Sequence, residues 1–94
     1  MAAIGQALDK DRERRKEERA LKSLMDRYEI LTPREREVMK LVIAGLTNKE
    51  AAHKLELSEI TVKIHRGNAM RKMEANSFAE LVQMAQKLRP RFHR

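Results

Sequence analysis

The sequence predicts an all-α protein in which four short helices follow one long charged helix. Three observations carry that expectation. Cap-and-stop signals recur between Thr32 and Glu80. No stretch alternates apolar and polar residues with the period of two that a half-buried strand needs. Along the N-terminal third, opposite charges fall three and four residues apart, as in Asp11–Arg15, Arg14–Glu18 and Glu18–Lys22, which supports a helix on its own surface. The 94 residues suit one small domain with an appended arm.

The arm comes first. Residues 9–19, "DKDRERRKEER", are all charged. Apolar residues flank them: Ile4 and Leu8 before, then Leu21, Leu24, Met25 and Tyr28. Residues 4–28 read as one solvated helix about 38 Å long. A charged linker helix is favoured over a stable coiled coil, because the middle a/d-like positions are charged. Its apolar ends leave a conditional dimer seam. The expected boundary sets a linker at 1–30 and a domain at 31–94.

In "TPRE", Thr32 is an N-cap, Pro33 the first helical residue and Glu35 the closure of a capping box. Val38, Leu41 and Val42 supply an apolar stripe, and Gly45 ends that helix. "TNKE" repeats the device with Thr47 and Glu50, and a short helix runs to about Leu55. Ser58 caps a third helix running to about Met73. Ser77 and Glu80 of "SFAE" open a fourth, expected to stop near Leu88 before Pro90 and the tail "RPRFHR".

Composition narrows the function. With no cysteine there is no disulfide framework and no thiolate metal site, which suits a reducing compartment. No apolar run approaches the roughly 20 residues that span a bilayer, and the N-terminus lacks a secretion pattern. A cytoplasmic protein without membrane contact is the expectation. Nothing offers a nucleophile–base pair, a phosphate loop or an acidic metal cluster, so neither an enzyme nor a cofactor is expected. His53, His65 and His93 have no metal-ligand spacing. The six methionines read as core filling and a seam on the last helix. Residues 1–31 carry eight Lys and Arg against seven Asp and Glu, whereas residues 32–94 carry thirteen against seven. A basic field concentrated in the domain points to a polyanion, nucleic acid before membrane.

A short helix, a tight turn at Leu57–Ser58 and a basic second helix make a helix-turn-helix. Ala51 and Ala52 permit close crossing, and Leu55 and Leu57 plug the turn. On a wheel at 100° per residue, Arg66, Ala69 and Met73 fall within about 40° of Val62 and form the core stripe. Ile60, Lys63, Ile64, Gly67 and Arg71 lie about 100–200° away. Gly67 therefore faces away from the core, although an interior helix glycine costs about 1 kcal/mol relative to alanine. A helix entering the major groove of double-stranded DNA accounts for that face. Isoleucines can touch thymine methyls, lysine can bond guanine edges or phosphate, and a missing side chain allows close approach. The plainer alternative makes Gly67 incidental and Ile60 a support for the turn, since single exposed isoleucines are common; the basic field weighs against it. The base-reading candidates are thus Ile60, Lys63, Ile64 and Gly67. Thr47, Asn48 and Lys49, at a helix N-terminus, are phosphate candidates, as are Thr61, His65, Arg66, Arg71 and Lys72 bordering the reading face. For Lys54, Lys87 and the tail arginines, a solvated charge suffices.

"LTPREREV", "GLTNKEAA" and the pattern S-x-x-T-V-K-x-H-R within "SEITVKIHR" resemble the LuxR-type helix-turn-helix, specifically its FixJ/NarL response-regulator branch. The resemblance covers roughly Leu31 to Leu88. It implies a four-helix bundle whose third helix reads the major groove and whose fourth often makes the dimer contact. It further implies Lys63, Ile64 and Gly67 at bases, with Asn48, Lys49, Thr61 and His65 at or near the backbone. The charged segment with "AIGQAL" is similar to the linker that follows a phosphoacceptor receiver domain, so the chain reads as the effector part of a two-component regulator, with a receiver as partner if it is a fragment. Ala52 stands where isoleucine is more usual. Gly67 stands where other branches carry lysine, so base preference does not carry over.

Other readings share some features. The promoter-reading region of a sigma factor shares "LTPRERE" and also binds RNA polymerase; "TVKIHR" favours the LuxR type. A helical protein-interaction module would use the arm as a coiled coil. One helix-turn-helix reads only a few base pairs, so a homodimer on DNA is expected. Met84 and Leu88 are its first candidate seam, and the arm residues Leu21, Leu24, Met25 and Tyr28 the second.

Overall fold

The computed structural model describes the backbone of residues 2–92 and the side chains of residues 10–89. Five helices follow in order: α1 (Ala2–Ile30), α2 (Pro33–Ile43), α3 (Asn48–Leu55), α4 (Glu59–Met73) and α5 (Phe78–Phe92). No strand occurs among the described residues.

The helix starts follow the cap residues. The Thr32 hydroxyl accepts from the Glu35 N–H at 3.1 Å, and the Thr32 N–H donates to the Glu35 carboxylate at 2.9 Å. Thr47 and Glu50 make the same reciprocal pair at 3.1 and 2.9 Å. Ser58 accepts from the Thr61 N–H, and Ser77 from the Glu80 N–H, both at 3.1 Å. Each pair satisfies amide donors that the first turn of a helix leaves without partners.

The stops share one geometry. Gly45 takes φ +104°. Its N–H donates to the Val42 carbonyl while the Leu46 N–H reaches back to Leu41, both at 3.1 Å. Glu56 (φ 56°) and Glu74 (φ 58°) end α3 and α4 in the same left-handed region without being glycine. The bonds Leu57 N–H to Ala52 and Ala75 N–H to Met70, both 2.9 Å, hold them there.

Two apolar clusters make the core. Val38, Val42, Ala51, Ala52 and Val62 join α2, α3 and α4. Leu24, Leu31, Met39, Ala69, Met73, Leu81, Ala85 and Leu88 join α1, α2, α4 and α5. Half-buried Phe78 touches both.

Three expectations are corrected. First, the arm does not stay outside the domain. Leu24 is buried, and Leu21, Met25 and Tyr28 pack against the same cluster. A stripe repeating every three to four residues found its apolar partner within the chain, so it is not an open dimer seam. Ile4 and Leu8, at the other end of that seam, lie outside the described side chains. Second, Leu88 is 1% exposed and belongs to the core, not to a seam. Third, α5 does not stop near Leu88 but continues through Pro90 to Phe92. A proline so near the last turn removes a single amide donor, and its fixed φ is helical. The side chains of the tail from Pro90 onward, His93 included, lie outside the described set.

Arg36 closes the end of α1. Its guanidinium donates to the carbonyls of Tyr28 (3.3 Å) and Glu29 (3.0 Å). It also lies 4.8 Å from the Tyr28 ring centroid. Opposite the core, residues 12–20 of α1 are exposed on every side, and the molecule reaches 62 Å in its longest dimension.

Candidate nucleic-acid interface

Helix α4 is built on its buried stripe. Val62, Ala69 and Met73 are fully enclosed, as their wheel positions require. Turning the helix outward from that stripe exposes Ile60 (72%), Lys63, Ile64 (57%), Gly67 and Arg71. A Cβ built on Gly67 meets no atom within 4 Å. Among the described residues, no hydrogen bond or ion pair engages the side chains of Lys63, Arg71 or Lys49. The four base-reading candidates therefore share one open, uncommitted face.

The phosphate candidates divide. Thr47 and Lys49 are exposed at the N-terminus of α3, where backbone amides and the helix dipole favour an anion. Thr61 is half-buried, its hydroxyl 2.8 Å from that of Ser58. Half-buried His65 has a buried Nδ1 with no hydrogen-bond partner among the described residues.

Lys72 is a correction. Its ammonium lies 2.7 Å from the buried Glu35 carboxylate, so it locks α4 to the start of α2 and does not extend to a phosphate. Its wheel position, about 80° from Val62, explains the turn inward. Arg66 is revised as well. It donates to the Asn48 side chain at 3.0 Å and stacks 4.5 Å from the Phe78 ring centroid. Arg66 and Asn48 thus bind each other, fixing the spacing of α3 and α4.

Glu35 is held charged in this setting. Burial pushes its carboxyl pKa up, but hydrogen bonds from Lys72 and Thr32 outweigh that and leave it below the ordinary value. At exposed Glu50, bonds from the Thr47 backbone and side chain also lower the pKa.

Several positioning residues have no sign in the local sequence pattern. Arg27 of α1 donates to the Met73 carbonyl at 3.3 Å and pairs with Glu74 at 3.0 Å, clasping the C-terminal end of α4. A cation there also complements the helix dipole. The one available signal was a basic residue in the last turns of the arm. Glu35 gave a capping signal only, and nothing local names Lys72 as its second partner.

A model of the luxR family of bacterial regulatory proteins matches residues 29–85. The chain is 49% identical over 86 residues to Nodulation protein W of Bradyrhizobium diazoefficiens, covering 92% of this chain and 38% of that protein. It is 39% identical over 89 residues to Response regulator protein TodT of Pseudomonas putida, covering 95% of this chain and 39% of that one. Among solved structures, full-length FixJ from B. japonicum superposes with a TM-score of 0.75 at 40% identity, covering 92% of this chain and 42% of that one. The chain thus spans about two fifths of the length of the proteins it matches.

Proposed function

The chain belongs to the luxR family of bacterial regulatory proteins, and from that premise we propose that it is the DNA-binding effector part of a two-component response regulator, inserting α4 into the major groove. One observation carries the assignment of the face. Ile60, Lys63, Ile64 and Gly67 stand exposed together on the side of α4 that the core does not use. Lys49, Thr47 and Arg71 sit where backbone phosphates flank an inserted helix, with Thr61 and His65 at its border. Membership of a DNA-binding regulator family supports a chain without catalysis, acting in the cytoplasm. No described helix is long and apolar enough to cross a membrane.

The remaining partners follow from the same reading. A receiver domain is the partner expected at the start of α1, and RNA polymerase is the partner at a promoter. Two copies occupying two half-sites supply the specificity that one helix-turn-helix lacks. Met84 remains the seam candidate; half-buried, it opens on the groove between α1 and α5 beside Ala20 and Lys87.

Selection of bound duplexes from random DNA tests the assignment. The expected outcome is a discrete half-site, with affinity that falls steeply with salt yet exceeds that for random duplex at every salt concentration. Equal affinity for selected and random duplexes would overturn it.

A further inference from the structure

Ile60, at 72% exposure, and Ile64, at 57%, stand one helical turn apart on the same outward face. Both occupy unspecified positions in the S-x-x-T-V-K-x-H-R pattern, so the pattern does not dictate that either is isoleucine. Neither side chain hydrogen-bonds a base edge. In the major groove, the one apolar feature a base pair offers is the C5-methyl group of thymine. Lys63 lies about 60° to one side of Ile60 on the wheel, with no ion-pair partner among the described residues, which makes the face cationic as well as apolar. That combination fits DNA better than an apolar protein surface.

Resting on the DNA-reading role of α4, we infer that this chain selects its half-sites by two thymine methyl groups, one read by Ile60 and the other by Ile64. Four residues of helix rise about 6 Å, and base pairs stack about 3.4 Å apart, so the two thymines lie roughly two base pairs from each other. Branching at Cβ restricts each isoleucine at χ1, so little side-chain freedom is lost on contact. The empty position at Gly67, one turn further along, lets the backbone of α4 approach closely enough for both methyl contacts. Lys63 reads the acceptor edge of a guanine beside them.

The test uses the whole chain and a duplex recovered by selection. Each thymine in turn is replaced by deoxyuridine, which removes the methyl group and leaves base pairing intact. Two positions about two base pairs apart are expected to weaken binding roughly three- to five-fold each, the effect of losing one buried methyl contact. Ile60→Ala should abolish the sensitivity at one of them and Ile64→Ala at the other. Both side chains are exposed, so thermal melting of the two variants should match the parent. A selected duplex indifferent to deoxyuridine everywhere, or a sensitivity that survives both alanine variants, overturns the inference while leaving DNA reading intact. Failure of any duplex to outcompete random DNA overturns both.

Discussion

Lys63 and Lys49 are both exposed cations, and the proposed reading gives them different parts of a duplex. Lys63→Ala is expected to cost about 1–3 kcal/mol and to relax preference at one base position. Lys49→Ala should weaken all sequences alike and lower the salt slope by about one. Titrations of selected and random duplex at several salt concentrations check both. Gly67→Ala should leave the free domain equally or more stable, because an interior helix glycine is removed into open space. Gly67→Leu should also fold but lose the selected site; retention of full affinity would show that this face stays out of the groove. Lys72 gives the contrasting case. Lys72→Ala strands the buried Glu35 carboxylate and should cost about 2 kcal/mol of stability, without changing the salt slope of DNA binding. Because the Glu35 pKa is depressed in the fold, its contribution is complete above the ordinary value of 4.5 and is lost as pH falls through the lower folded value. Acid melting should show that loss in the parent and not in Glu35→Gln.

At the level of the helices, what could be read in advance was local. Thr32, Thr47, Ser58 and Ser77 announce helix starts because their hydroxyls satisfy amides two or three residues away. The inward stripe of α4 was legible for the same reason, since a rotation of 100° per residue depends on nothing outside the helix. The pairings Lys72–Glu35 and Arg27–Met73 join residues 37 and 46 positions apart, and no periodicity points to them. The burial of Leu24 and Leu88 depended on which helix each stripe met, and only packing decides that. The stops of α3 and α4 hid for another reason: Glu56 and Glu74 hold a backbone region that favours glycine. The left-handed conformation costs a non-glycine residue about 1 kcal/mol. Glu56→Gly, at an exposed position, is therefore expected to raise stability by about 0.5–1 kcal/mol. Thermal unfolding monitored by circular dichroism should show a rise of a few degrees.

Across the whole molecule, one helix runs from the domain core into solvent. Its last turns are held by Leu24, by Arg27 on the end of α4 and by Arg36 on its final carbonyls, while residues 12–20 are exposed. Such a helix transmits angle as well as distance. Each residue added to the exposed stretch advances anything attached at its start by about 1.5 Å but swings it by about 100°. The linker is thus a phasing element: the azimuth of an attached domain about the α1 axis, relative to the exposed face of α4 that carries Lys63 and Ile64, is set by residue count. Inserting seven residues near position 16, almost two full turns, should preserve regulation by a fused receiver domain; inserting two, which reverses the facing, should abolish it. DNA binding by the isolated domain should be unchanged in both. Equal regulation in the two insertions would show that α1 acts as a tether, indifferent to phase.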